Sequence, residues 1–148
     1  MRISAKGRYA LAAMTHMATH YDSGENLTVI SIAERLGTSK IYLEQIFSLL
    51  KKDGLLNSVK GAQGGYQLSR MPRQITAAAI LSAVELSLFE ETKSTMSNNA
   101  PEIDKAIRSV VFNELDSSIK DVLVNITLET LVAAVERHKA DDKMMFYI

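Results

Sequence analysis

Apolar positions recur at helical spacing along most of the chain, and this pattern predicts six helices with a β-hairpin after the third. The expected helices cover residues 4–21, 28–36, 39–53, 76–88, 101–124 and 127–138. The first helix is expected to bury Ala10, Met14, Met17 and Tyr21, and the fourth Ile80, Leu81, Val84 and Leu88. The pattern therefore predicts a mostly α protein with one small β element.

The second and third helices have the pattern of a helix-turn-helix. Thr28 and Ser39 are suited to cap them, because a hydroxyl oxygen can accept a hydrogen bond from a free amide of the first turn. Gly37 between the helices is suited to a positive-φ turn. The expected inward side chains are Ile32, Ala33, Leu36, Leu43, Ile46 and Leu50. An ordinary αα-hairpin has the same features, so these residues alone leave both interpretations open.

Residues 55–70 favour the helix-turn-helix. They are expected to form two short strands around a glycine-rich tip, where Gly61, Gly64 and Gly65 supply the turn. Lys60 lies at this tip. A hairpin that directly follows a helix-turn-helix is typical of the wing of a winged-helix DNA-binding domain.

The second half of the chain is expected to assemble the molecule. A polar loop at 89–100 precedes a long helix at 101–124, with Pro101 in its first turn. The apolar stripe of this helix is too large for a helix that lies on a small domain alone, so it predicts antiparallel pairing with a second chain. The stripe consists of Ile107, Val111, Leu115, Ile119 and Val122. The predicted domains are 1–88, a winged helix-turn-helix, and 89–148, the loop, the dimerisation helix and a C-terminal tail.

Composition and charge support a small DNA-binding regulator. Residues 1–73 hold ten Lys and Arg against five acids, whereas residues 74–148 hold seven against twelve, so positive charge is concentrated beside the helix-turn-helix. The chain has no cysteine, which excludes disulfides, thiolate metal sites and thiol nucleophiles. Its apolar runs, such as 77–81, are far too short to span a membrane, and its start has no signal-peptide pattern. A cytoplasmic location is expected.

No catalytic or metal site is expected from the sequence. His16 and His20 have the i, i+4 spacing that can chelate a metal ion, but no third ligand is near them in sequence. Neighbouring acids such as Glu90 and Glu91 are accompanied by no nucleophile. The wing glycines are not followed by the Lys and Ser or Thr of a phosphate-binding loop.

Three segments, in order, resemble the Rrf-two family of bacterial winged-helix repressors. They are residues 1–10 (Met-Arg-Ile-Ser-Ala-Lys-Gly-Arg-Tyr-Ala), 42–46 (Tyr-Leu-Glu-Gln-Ile) and 58–66 (Ser-Val-Lys-Gly-Ala-Gln-Gly-Gly-Tyr). The resemblance covers the whole length. It implies a homodimer that binds double-stranded DNA and controls iron–sulfur assembly, nitrosative stress or sulfur metabolism.

Many members of this family hold an iron–sulfur cluster through three cysteines in the loop that corresponds to residues 89–100. This loop has no cysteine, so no iron–sulfur cluster and no other cofactor is expected. The chain is more similar to the cysteine-less branch, which includes the cysteine-metabolism repressors (CymR-type) and shares the aromatic ending at 145–148. The resemblance implies a repressor of cysteine or sulfur metabolism genes that acts with cysteine synthase.

Cysteine synthase accepts peptides that end in isoleucine, so Phe146, Tyr147 and Ile148 are the candidate partner-binding tail. The alternative is that Phe146 and Ile148 pack on the dimer core.

Two other functions of the whole protein also remain open. One is a repressor of another regulon controlled by a directly bound small ligand, and the other is a module whose main task is to bind an enzyme.

The DNA-binding residues are expected in three places. The exposed side of the third helix would enter the major groove with Ser39, Lys40, Ile41, Tyr42, Glu44, Gln45 and Ser48. Lys60 at the wing tip would approach the minor groove. Phosphates would be held near the start of the first helix by Arg2, Ser4, Lys6, Arg8 and Tyr9. In the major groove, Gln45 could pair with adenine and Glu44 could accept a hydrogen bond from cytosine.

Overall fold

A computed structural model describes residues 3–25, 27–61 and 64–146. These residues form a mostly helical fold with one two-stranded antiparallel sheet. The elements are α1 (Ala5–Thr19), α2 (Val29–Leu36), α3 (Lys40–Lys52), β1 (Leu56–Val59), β2 (Gly65–Leu68), α4 (Ala77–Val84), α5 (Pro101–Ile107), α6 (Asn113–Val124) and α7 (Leu128–Phe146). A 3-10 turn, Pro72–Gln74, precedes α4, and a π-helical turn, Arg108–Phe112, joins α5 to α6.

The hydrophobic core surrounds α1, which packs against α2, α3, α4, α7 and β2. Met14 of α1 and Phe47 of α3 are fully buried there. Burial of each such large apolar side chain contributes roughly 1.5–3 kcal/mol to folding. The three buried side chains predicted for α3, namely Leu43, Ile46 and Leu50, are confirmed. In the described part of the chain no helix is long and apolar enough to cross a membrane.

The start of α7 is attached to the same core. The amide of Leu128 donates to the carbonyl of Ile75 at 2.9 Å, and the amide of Ala77 donates to the carbonyl of Ile126 at 2.8 Å. The Leu128 side chain is fully buried in the core that α1 and α3 form. Part of the segment after residue 88 therefore contributes to the packing of the segment before it, and the division of the chain at 88 stays a prediction.

Two predicted helix ends were wrong. The first helix ends at Thr19 rather than Tyr21, because the chain turns at His20 and leaves the Tyr21 side chain 42% exposed. The fourth helix ends at Val84 rather than Leu88, because Glu85 has the non-helical angles φ −108° and ψ 76°. Leu88 lies beyond this end and is only half-buried.

The last two helical segments also differ from the prediction. The final helix does not end at His138, since it continues through residues 139–143, which contain no Gly or Pro to stop it, to Phe146. The long helix predicted for 101–124 consists of α5 and α6, which the π-helical turn Arg108–Phe112 joins without a non-helical residue between them. The expected loop at 89–100 is confirmed, and the Arg108 guanidinium donates to the Thr92 carbonyl at 3.0 Å.

Candidate nucleic-acid interface

The turn of the helix-turn-helix is held by two caps and one glycine. The Thr28 hydroxyl accepts a hydrogen bond from the Ser31 amide at 3.1 Å, and the Ser39 hydroxyl accepts one from the Tyr42 amide at 3.1 Å. Gly37 lies between the helices at φ 70°, the left-handed region that side chains with a Cβ rarely adopt. The predicted caps and turn are confirmed, and they set the orientation of α3 relative to α2.

The two sides of α3 differ sharply in burial. Leu43, Ile46, Phe47 and Leu50 are buried on one side. The other side exposes Ser39, Lys40, Ile41, Gln45 and Ser48. Ile41 among them is 71% exposed. This side of α3 therefore offers a row of polar groups and one apolar contact to a partner.

Tyr42 and Glu44 are less available than the prediction assumed. The Tyr42 ring is half-buried against the core and meets the Tyr9 ring edge-on, with centroids 5.8 Å apart. The Glu44 carboxylate lies 3.6 Å from the Lys40 ammonium, one helical turn earlier. Tyr42 and Tyr9 therefore connect α3 to α1, and Glu44 in this state partly neutralises Lys40.

The hairpin of β1 and β2 lies beside α3. Its strands pair in the register Leu56 with Leu68 and Val59 with Gly65. The Tyr66 ring packs edge-on against Phe47 of α3, with centroids 5.1 Å apart. This contact fixes the hairpin to the helix, and Lys60 is exposed where β1 ends. Residues 62–63 at the tip lie outside the described residues.

The start of α1 is joined to the end of α4. The Ser4 amide donates to Glu85 Oε1 at 2.7 Å, and the Ser4 hydroxyl donates to the same oxygen. That hydroxyl also accepts a hydrogen bond from the Gly7 amide at 3.2 Å, so Ser4 is the N-cap of α1. The Ser4 hydroxyl is therefore bonded within the protein, to Gly7 and Glu85, rather than free for a phosphate. Arg8 is exposed beside it, and Lys6 and Tyr9 are half-buried. Arg2 lies outside the described residues.

Gly7 is required for this approach. A Cβ at position 7 would lie 2.7 Å from Ile3 Cγ2 and would contact the Glu85 carboxylate. Sequence reasoning missed Glu85 entirely, because no local pattern relates it to a residue 81 positions away. The one signal was an unexplained glycine in the first turn of a helix, where glycine is unfavourable.

The predicted dimerisation stripe is exposed on the single chain. Val111, Leu115 and Val122 are 43%, 54% and 60% exposed, and Ile107 and Ile119 are half-buried. The opposite side of α6 faces α4 across a cavity of about 750 Å³ that Asn113, Ser117 and Lys120 line. Val111, Leu115 and Val122 thus lie on the side of the helix away from this cavity, whereas Leu123 lines a second groove of the same chain.

The iron–sulfur cluster of the family does not fit the residues of this chain. Such clusters are held chiefly by cysteine thiolates, and the chain has none. Within ranges 3–25, 27–61 and 64–146, no group of three His, Asp or Glu residues could hold a metal ion. The His16 and His20 rings are perpendicular, with centroids 4.8 Å apart, and Glu25 Oε2 lies 3.7 Å from His20 Nδ1.

A model of the Rrf2 family, described as iron-dependent transcriptional regulator, matches residues 3–134. The chain belongs to the Rrf2 family. The HTH-type transcriptional regulator IscR of Pectobacterium carotovorum is 39% identical over 132 residues, which cover 89% of this chain and 79% of that relative. IscR of Sodalis glossinidius is also 39% identical, over 136 residues that cover 92% of this chain and 81% of the relative.

Solved structures agree in fold. CymR, the global cysteine regulator of B. subtilis, matches with a TM-score of 0.72 at 33% identity, over 90% of this chain and 98% of that one. IscR of T. potens matches with a TM-score of 0.73 at 37% identity, over 93% and 90% of the two chains. The predicted winged-helix fold and the resemblance to the Rrf-two family are confirmed. The chain is a DNA-binding transcriptional regulator and not an enzyme.

Proposed function

We propose that the chain is a homodimeric repressor that reads its operator with α3 and the wing. The observation that carries this proposal is the exposed row on α3, with Ile41 and Gln45 on the side opposite the buried Leu43 and Ile46. Gln45 is suited to a bidentate contact with adenine, and Ile41 to contact with a thymine methyl group. Each good base contact supplies roughly 1–3 kcal/mol of discrimination.

Phosphate contacts come from the wing and from the start of α1. Lys60 is exposed at the end of β1, and Arg8 is exposed near the start of α1. These side chains supply the sequence-independent attraction that positions a protein on DNA. In this proposal Arg2, Lys6 and Tyr9 belong to the same clamp, and Ser4 acts through the conformation of the helix start rather than through a free hydroxyl.

The dimer is supported by the outward apolar stripe of α5 and α6. Antiparallel pairing of two such stripes buries Val111, Leu115 and Val122 and relates the two chains by a two-fold axis. Two recognition helices so related can occupy successive major grooves of a palindromic operator. A monomer would leave the stripe in water.

For the regulon we propose cysteine or sulfur metabolism. The support is the fold shared with CymR, described as a global cysteine regulator, at 33% identity, together with the absence of cysteine in both the loop 89–100 and the rest of the chain. Sequencing the genomic fragments that the purified protein retains tests this directly. Fragments upstream of sulfur genes are expected, and their affinity should fall steeply with added salt. Retained fragments from an unrelated set of genes would contradict the regulon.

The proposed partner is cysteine synthase, bound at the end of α7. Met144, Met145 and Phe146 are 65%, 76% and 91% exposed there, a concentration of apolar surface that favours a protein contact. Tyr147 and Ile148 follow outside the described residues.

A chain that lacks Tyr147 and Ile148 should remain folded and dimeric but should not bind cysteine synthase in a calorimetric titration. O-acetylserine, by occupying the substrate site, should displace the full-length chain from the enzyme. If the truncated chain still binds the enzyme, the tail is not the contact.

A second candidate, control by a directly bound small ligand, is favoured by a cavity between α1, α2 and α7 that Leu123 of α6 also lines. A module that binds only an enzyme would show no specific DNA affinity, and the same fragment selection separates it from both repressor proposals.

A further inference from the structure

A groove of about 640 Å³ lies between α1, α2 and α7 and ends at the last turn of α6. Its volume is in the range of small-molecule sites, roughly 300–1,000 Å³. The apolar lining is contributed by Leu11, Leu36, Leu123, Ile126, Leu131 and Val135. None of the DNA-binding or dimerisation residues predicted from the sequence lies in it.

The polar lining of this groove is basic. His16 and His20 come from α1, Arg35 from the last turn of α2, and Lys139 from α7. No Asp or Glu is among the lining residues. Glu25 lies 3.7 Å from His20 and Glu136 lies 3.4 Å from Lys139, and neither acid lines the groove. In the described part of the chain Arg35 forms no ion pair.

The basic groups are gathered at one end of the groove. Along α1 the apolar lining residue Leu11 precedes His16 and His20, and along α7 Leu131 precedes Lys139. Burial lowers the pKa of His16, and the nearby charges of His20, Arg35 and Lys139 lower it further. Basic side chains of α1, α2 and α7 therefore lie close to His16 at one end of the groove, while the other end is apolar.

We propose that this groove binds a small amphipathic carboxylate. Its apolar part lies along Leu123, Leu131 and Val135, and its carboxylate lies between Arg35, Lys139 and the two histidines. A guanidinium is suited to this contact because its donors match the two oxygens of a carboxylate. An amphipathic anion uses both ends of the groove, whereas a neutral apolar molecule would leave Arg35 without a counter-charge.

The position of the groove gives such a ligand a regulatory consequence. Arg35 belongs to the first helix of the helix-turn-helix, and Lys139 belongs to α7, which follows the proposed dimerisation helix. A carboxylate that bridges them holds α2 relative to α7 and so changes the spacing of the two recognition helices in a dimer. The site specifies the ligand class for the second candidate function, and its binding can be measured without DNA, whereas this regulatory consequence rests on the proposed function.

The test uses the full-length protein with octanoate as the probe, and 1-octanol and acetate as matched controls for the apolar and the charged part. The chain has three histidines, of which His16 and His20 line the groove and His138 does not. In a titration followed by NMR, octanoate should shift the ring signals of His16 and His20 saturably and leave those of His138 unchanged. Octanol should bind about tenfold more weakly, as expected for loss of a charge-assisted hydrogen bond, and acetate should not compete.

The double variant Arg35→Gln, Lys139→Gln should lose octanoate affinity by about tenfold or more, and Lys143→Gln, one turn further along α7, should not change it. Equal binding of octanol and octanoate, equal shifts at all three histidines, or full affinity in the double variant would overturn the proposal. Operator affinity is then measured with and without octanoate. An unchanged operator affinity despite binding would overturn the regulatory consequence, while absence of any operator binding would overturn the proposed function and leave the site intact.

Discussion

Glu85 accepts two hydrogen bonds from Ser4, one from its amide at 2.7 Å and one from its hydroxyl. This contact joins the segment that leads into the 89–100 loop to the end of α1 where phosphate contacts are expected. Glu85 lines the same surface cavity as Lys6, so simple electrostatics predicts that removal of its negative charge would strengthen DNA binding. The hydrogen bonds predict the opposite, because they hold the start of α1 in position.

Two substitutions separate these effects, since Glu85→Gln and Glu85→Ala remove the same charge but only Gln keeps an acceptor oxygen. We expect Glu85→Ala to bind operator more weakly than Glu85→Gln, by up to about tenfold, the equivalent of one or two ordinary hydrogen bonds of about 0.5–1.5 kcal/mol. Fluorescence anisotropy with a labelled operator measures the difference. Equal affinities of the two variants would show that the contact does not position the helix.

A second prediction concerns base readout by α3. Replacing both Glu44 and Gln45 by Ala should reduce the preference for operator over random DNA by about tenfold or more, since each contact supplies roughly 1–3 kcal/mol of discrimination. Nonspecific affinity should rise slightly, because the Lys40 ammonium, now 3.6 Å from the Glu44 carboxylate, becomes free to meet a phosphate. Competition assays with random DNA measure both quantities. Glu129→Ala, an exposed acid on α7, is the control for loss of charge.

Retained specificity in the Glu44→Ala, Gln45→Ala variant would mean that α3 is not the reader. A loss of affinity for all DNA sequences alike would instead assign these side chains to phosphate or structural contacts.

Local features of the fold were predictable because their causes lie within a few residues. Thr28, Gly37 and Ser39 determine their caps and turn through bonds to the next helical turn, and the structure contains each of them. The glycine-rich hairpin was predictable for the same reason, although Gly65, expected in its turn, is the first residue of β2 and pairs with Val59. The family resemblance added what local patterns could not, namely the order of these elements.

Features that depend on distant residues were missed. Glu85, directly after the end of α4, bonds to Ser4 at the start of α1, and the pairing of Tyr42 with Tyr9 depends on the packing of α3 on α1. The groove between α1, α2 and α7 unites His16, Arg35 and Lys139, which no periodicity relates. For the same reason the two histidines alone suggested only an incidental pair.

A third prediction concerns the phosphate clamp at the start of α1. Lys6→Ala should weaken binding to operator and to random DNA alike, because phosphate contacts carry no sequence information. The slope of log affinity against log salt should decrease in magnitude by about one contact, roughly 0.9. Lys105→Ala, an exposed lysine on α5, should leave the slope unchanged. If Lys6→Ala also leaves it unchanged, Lys6 does not touch a phosphate.

A fourth prediction concerns the dimer. Val111→Glu or Leu115→Glu should give monomers that bind operator poorly, because a carboxylate buried without a partner costs several kcal/mol at an apolar interface. Sedimentation velocity measures the assembly state. Ser117→Glu is the matched control, since a residue two positions after Leu115 lies on nearly the opposite side of a regular helix, here facing α4. If the two stripe variants remain dimers, the proposed interface is wrong. It is also wrong if only Ser117→Glu becomes a monomer.

The last prediction concerns the dependence of stability on pH. Burial, followed by the charges of His20, Arg35 and Lys139, lowers the pKa of His16 below its ordinary value of 6.5. The unfolded chain therefore binds a proton more readily than the folded one, so stability is full above pH 6.5 and falls as the pH drops from there through the folded pKa. His16→Gln removes this titration and should flatten the decrease in the denaturation midpoint over that range. His138→Gln, at an exposed position outside the groove, should retain it, and flattening by His138→Gln alone would mean that the titrating group is not in the groove.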